Sequence, residues 1–169
     1  MPYAPDQVLA SDYPFVTMMR AADRERVVAQ VVASVWDTAL GLPALPREGH
    51  DLTGSHDHGV LGRVRITGAW EGVVAMSGPS RLAAECSALM YGTEPQDLIE
   101  AEIRDGWGEL VNMVGGHIKA LVPPVSRLAL PVVGPNGNAA YREPDCKVLN
   151  EVVFACQGSR MRVTVLKRI

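Results

Sequence analysis

The sequence predicts an α+β domain in which an antiparallel-rich sheet packs against two long helices and one short helix. Two stretches with apolar residues at helical spacing, residues 16–40 and about 93–121, are long enough to cover a sheet. Several β-rich runs are joined by short connections that contain glycine, the signature of antiparallel pairing. Helices and strands also come in groups rather than in strict alternation, which favours this architecture over a doubly wound parallel sheet.

The elements follow in order. Pro2, Pro5 and Pro14 break the first stretch, so residues 1–15 are expected to form a loose arm ahead of a single domain at 16–169. Met19, Val27, Val31, Val35 and Leu40 recur at helical spacing, and Gly41 offers a C-cap. VLGRVRIT and EGVVAMS read as a hairpin joined through Gly68, Ala69 and Trp70. A short helix is expected from Ser80 to Tyr91, closed by Gly92. Thr93, Pro95 and Gln96 then resemble a capping box with proline just inside it, opening a helix that runs to about Leu121, before Pro123 and Pro124. SRLALPVVG, KVLNEVVFAC and SRMRVTVLK read as strands, the last two joined through Gln157-Gly158. In the final run Met161, Val163 and Val165 alternate with Arg160, Arg162 and Thr164, which predicts one wet face.

Composition narrows the function classes. With 169 residues, 47% of them hydrophobic, the chain can bury one sizeable core. A net charge of -3 and no cluster of Lys and Arg argue against a nucleic-acid surface. The first residues lack the basic start and apolar run of a signal peptide, and no window of about 18 apolar residues could cross a bilayer, so a cytoplasmic protein without membrane contact is expected. Cys86, Cys146 and Cys156 are odd in number and contain no C-x-x-C pair, which fits reduced thiols packed as small core residues.

The long helix is the informative element. At about 100° per residue, Ile99, Ile103, Trp107, Leu110, Val114, Ile118 and Leu121 gather on one side, while Glu102, Asp105, Glu109, Asn112 and Gly116 gather on the other. Glu109 and Asn112 are three apart and project from neighbouring positions of the exposed side. An ordinary solvated face would use Glu, Lys, Gln and Arg; Asn is less favourable there, and each glycine of Gly115-Gly116 costs about 1 kcal/mol relative to alanine. The glycine pair is expected to let a partner come close. On spacing alone, however, E-x-x-N is also compatible with an exposed turn of no special role.

Other candidates carry less. His50, His56 and His58, with Asp57, could suit zinc, but no matching cluster lies elsewhere and an exposed loop is the simpler reading. His117 is placed near the apolar side of the long helix and reads as packed or half-buried. Trp36, Trp70 and Trp107 read as core or interface anchors. GPNGN at 134–138 lacks the lysine of a phosphate loop and reads as a turn. Arg160 and Arg162 read as a solvated basic strip.

The stretch DGWGELVNMVGGHIK, residues 105–119, resembles the signature helix of the CheC, CheX and FliY family of chemotaxis phosphatases. VWDTALGL, the G-x-V-x-x-S run from Gly72 to Ser77, LMYGTE and LPVVG occur in the order expected of CheX, so the resemblance spans residues 20–168. The first helix has no E-x-x-N, which is similar to CheX with one site per chain rather than CheC with two. The family's proline after the site helix corresponds to Pro131, closer to Asn112 than is usual, and many relatives have Asn at the position of His117. The resemblance implies a CheX-like fold, a homodimer, and a phosphatase acting on the aspartyl phosphate of a CheY-type response regulator. It implies that Asn112 positions the attacking water and Glu109 pairs with the receiver's active-site lysine, with Asp105, Gly115 and Gly116 in support. It implies no cofactor of the chain's own, the Mg²⁺ being held by the response regulator. The competing expectation is a binding module of the same fold that docks to a receiver without catalysis.

Overall fold

The structure, a computed structural model, describes residues 19–49, 58–136 and 140–169. The arm at 1–15, His50, His56, Asp57 and the Gly137-Asn138 end of GPNGN lie outside the described residues. The order of elements is helix α1 (Ala21–Leu40), strands β1 (Leu45–Arg47), β2 (Gly59–Gly68) and β3 (Gly72–Pro79), helices α2 (Ser80–Tyr91) and α3 (Glu100–Lys119), and strands β4 (Ser126–Leu128), β5 (Val132–Asn136), β6 (Cys146–Cys156) and β7 (Ser159–Arg168). This is the predicted α+β architecture.

The strands form one antiparallel sheet in the order β1-β6-β7-β3-β2-β4, with β5 also paired to β2. SRLALPVVG, expected as one strand, is therefore two. β4 pairs with the far end of β2 (Ile66 opposite Leu128) and β5 with its near end (Arg63 opposite Val132). Pro131 lies between them, without an N–H to continue the ladder. β6 and β7 turn through Gln157 and Gly158, both at positive φ (49° and 71°), as a two-residue hairpin with right-handed strand twist requires.

The helices lie on one face of this sheet. Val28, Val32, Val35 and Trp36 of α1 and Trp107, Leu110, Val111, Val114 and Ile118 of α3 are buried against Val64, Val74, Met76, Val152, Phe154, Met161, Val163 and Val165. The Trp36 and Trp107 rings meet edge to face, 6.4 Å between centroids, and the Trp107 indole N–H donates to the Met76 carbonyl at 3.2 Å. All three tryptophans are buried, as the anchor reading expected. Cys86 of α2 and Cys156 of β6 are buried, and the neighbouring Cys156 thiol, with burial, raises the pKa of Cys86. Cys146 is only half-buried, so it is not the core residue expected.

The opposite face of the sheet corrects the alternation reading. Arg162 and Thr164 are as buried as their apolar neighbours: β7 runs mid-sheet, and Tyr141, Arg142 and Glu143 bond to side chains of that face. Tyr141 accepts a hydrogen bond from Arg63 at 3.0 Å, Glu143 pairs with Arg65, Arg142 bonds Glu151 at 2.8 Å, and Arg162 Nε lies 3.7 Å from Glu151. Arg160 alone of the expected basic strip is exposed.

The glycines of α3 and β2 set how close helix and sheet can come. A methyl group on Gly115 would sit 2.4 Å from Val64 Cγ1, and one on Gly62 would sit 2.6 Å from Val111 Cγ2. Gly115 is therefore a packing residue facing β2 and not half of a partner-facing pair. Gly116 meets nothing closer than Leu128 Cδ2 at 4.0 Å. The two positions should respond oppositely to the same substitution. Gly115→Ala overpacks against a stiff, buried valine and should lower the free energy of unfolding by about 1–2 kcal/mol, even after the gain in helix propensity. Gly116→Ala should leave stability unchanged or raise it by up to about 1 kcal/mol. Guanidinium unfolding of the two variants checks the contrast.

Candidate active site

Helix α3 is placed by its buried side, and its outward side is fixed as a consequence. α2 and α3 form an antiparallel pair joined through Gly92 and a short 3-10 turn at Pro95–Asp97. The Thr93-Pro95-Gln96 signal thus marks this turn rather than the start of the long helix. That start lies at Ile99, whose backbone N–H donates to Glu102 at 2.9 Å; Ile99 is exposed and stands outside the helix, contrary to its placing on the apolar side. The helix ends at Lys119, two residues before the expected end.

The two helices touch closely at one point. Ser87 Oγ donates to the Ile103 carbonyl at 3.1 Å, and a methyl on Gly106 would lie 2.2 Å from Ser87 Oγ. Glycine at 106 is therefore needed for the contact. On the other flank, a methyl on Gly108 would meet Val133 Cγ2 at 3.2 Å and Pro131 Cγ at 3.6 Å. Pro131 thus abuts α3 one residue before Glu109, despite its short separation from Asn112 in sequence.

Between these flanks the expected residues share one face. Asp105 and Glu109 are exposed, Asn112 and Gly116 are half-buried, and Gly115 points away into the core. Among the described residues, none of the Asp105, Glu109 and Asn112 side chains takes a hydrogen bond or an ion pair. An exposed carboxylate and a neighbouring carboxamide with donor and acceptor both free can bind a cation and orient a water, respectively. His117 is exposed rather than packed: its ring has turned back along the helix, Nδ1 donating to the Met113 carbonyl at 2.9 Å. It lies at the margin of the face.

One residue of this neighbourhood was not singled out from the sequence. Tyr91, the last residue of α2, is half-exposed and lies close enough to feel the acidic face. Burial first, and then the charges of Asp105, Glu102 and Glu109, push its phenol above the ordinary tyrosine range. No spacing rule joins Tyr91 to Glu109; the antiparallel helix pair does.

Among the described residues there is no group of three or more His, Cys, Asp and Glu side chains placed to hold a metal, and no helix long and apolar enough to cross a membrane. His58 is exposed at the start of β2, and its expected companions lie outside the described residues.

Comparison with known proteins bears on the fold and the family. The profile of the family described as chemotaxis phosphatase CheX matches residues 60–155. The crystal structure of the chemotaxis protein CheX from Vibrio vulnificus is similar at a TM-score of 0.67 and 22% identity, over 87% of this chain and 97% of that one. The chemotaxis protein CheX from Desulfovibrio desulfuricans is similar at 0.64 and 19%, over 86% and 99%. The CheX-CheY-BeF3-Mg²⁺ complex from Borrelia burgdorferi is similar at 0.62 and 15%, over 85% and 97%. No curated protein matches. The family profile covers more than half of the residues, including all of α3 and the strands that seat it, and on that ground the chain belongs to the CheX family of chemotaxis phosphatases.

Proposed function

We propose that this chain hydrolyses the aspartyl phosphate of a CheY-type response regulator, with Asn112 positioning the attacking water and Glu109 docking the helix on the receiver. The observation that carries the reading is the outward face of α3, where Glu109 and Asn112 stand side by side without partners among the described residues. The family, and the Borrelia CheX bound to CheY with BeF3 and Mg²⁺, support the same partner and a Mg²⁺ that belongs to the receiver.

Phosphoryl transfer asks for alignment and charge stabilisation more than for covalent chemistry. The receiver supplies the acyl phosphate and Mg²⁺. Asn112 then contributes the water: its carbonyl oxygen accepts from the water, and its amide donates to a phosphoryl oxygen or to the water itself. The water oxygen bonds to phosphorus as the bond to the aspartyl oxygen breaks, releasing inorganic phosphate and a free carboxylate. Neutral Asn needs no titration, so no histidine or cysteine base is called for. Glu109, one turn away, pairs with the receiver's lysine and brings Asn112 into line. Asp105 and Gly116 border the contact, Gly116 by the close approach its missing side chain allows. The protein acts as a homodimer on this reading, as the family resemblance implies.

Two variants test the division of labour, with a CheY-type receiver charged by a small phosphodonor in Mg²⁺ and phosphate release followed over time. Asn112→Ala should lower kcat by about a hundredfold or more with binding largely kept, because the water loses its alignment. Glu109→Ala should raise KM by roughly tenfold and lower the rate as well, since a desolvated cation on the receiver is left without its counter-charge. Unchanged turnover in Asn112→Ala would falsify the mechanism. Binding of the receiver without any turnover by the wild-type protein would make α3 a docking face only.

A further inference from the structure

Tyr91 occupies a position that the fold does not need it to fill. It ends α2, half its surface is open, and Gly92 closes the helix without it. The antiparallel packing fixes where it stands. Ser87 meets Ile103 and Gly106, so Tyr91, one turn further along α2, comes level with the first turns of α3. Glu102 projects there, with Asp105 and Glu109 one and two turns further along the same face, and their charges reach the phenol. An aromatic ring beside a row of carboxylates forms one wall of a cation site: the carboxylates attract the charge, and the ring face accepts it with little loss of side-chain freedom. The adjoining basic side chain Arg104 is turned toward Glu100, one turn back, and does not neutralise this row.

We infer that Tyr91 is a partner-docking residue, which extends the contact surface from the Glu109-Asn112 pair across to α2 and selects a receiver with a second Lys or Arg on the rim of its phosphate-bearing pocket. The inference rests on the proposed function, because it takes the receiver as the occupant of this face. Charge supports that choice: the exposed row is acidic and its complement is a basic rim. The ring contributes affinity and selectivity, while Asn112 contributes the chemistry. Tyr91 is thus a positioning residue whose loss acts on binding.

The test measures the dissociation constant for a Mg²⁺- and beryllofluoride-loaded receiver, and kcat and KM with the phosphorylated one. Tyr91→Ala should weaken binding and raise KM by about tenfold, the scale of an interfacial aromatic hot spot, with kcat within about threefold of wild type. Tyr91→Phe should restore most of the affinity, since the ring face and not the hydroxyl meets the cation. Leu89→Ala is the control: Leu89 is equally exposed but lies about 200° around α2 from Ser87, and should change neither constant. Thermal melting confirms that each variant is folded. If Tyr91→Ala binds like the wild type while Asn112→Ala is inactive, the phosphatase reading stands and Tyr91 has no docking role. The docking role also falls if Leu89→Ala weakens binding as much, or if Tyr91→Ala acts only by splitting a dimer in sedimentation. If the wild-type protein itself neither binds nor dephosphorylates a receiver, the parent reading falls and this one with it.

Discussion

The close seating of α3 on the sheet is the constraint on which the rest of the molecule depends. Gly62 and Gly115 remove the two side chains that would hold helix and strand apart; Trp107 and Val111 occupy the space at Gly62, and Val64 the space at Gly115. The Trp107 N–H is bonded to the Met76 carbonyl, and the Trp36 edge closes over its ring. A tryptophan with its donor satisfied and its faces packed has one place to be. It therefore sets both the depth and the rotation of α3. Glu109 lies two residues on, about 200° around the helix, and is turned to solvent by the same contacts that bury Trp107.

That arrangement separates two kinds of requirement. One side of α3 satisfies packing, and the glycines there are dictated by neighbours within angstroms. The other side carries an amide and carboxylates that no neighbour demands. The electrostatics differ accordingly. On the far face of the sheet, Glu143 and Glu151 are shared among Arg63, Arg65, Arg142 and Arg162, so charge there is consumed internally. On α3, Asp105 and Glu109 are left open to an outside partner. Held by a packed helix rather than a loop, the open side is preorganised, which suits a reaction whose demand is alignment.

The misreadings of the sequence have two origins. Arg162 and Thr164 obeyed the period of a half-wet strand, yet both are buried in mid-sheet, Arg162 beside Glu151 of the neighbouring strand. Gly115 and Gly116 looked like one feature, but successive residues lie about 100° apart, and only the first faces Val64. His117 was drawn inward by its place near the apolar side; its bond to the Met113 carbonyl holds it at the surface instead. Of the signal at Thr93 to Gln96 only the proline is used, opening a 3-10 turn that has no side-chain cap, while the helix start is satisfied by Glu102 reaching back to Ile99. For Arg162, Thr164 and Gly115 a local rule was overruled by packing against elements distant in sequence; for His117 and the start of α3 one local contact displaced another.

The sequence by itself determined the period of α3, the identity of its two faces, the end of α2 at Gly92 and the hairpin at Gln157-Gly158, because these depend on residues within a turn or two of one another. It also placed Glu109 and Asn112 on a common outward face, since helical geometry alone brings i and i+3 together. Only the tertiary structure decided that Pro131 abuts the helix at Gly108, that Gly115 belongs to the core, and that Tyr91 stands beside the acidic row. Those relations are made by β2 against α3 and by α2 against α3, through contacts whose partners are joined by no periodicity and are found only when the chain has folded.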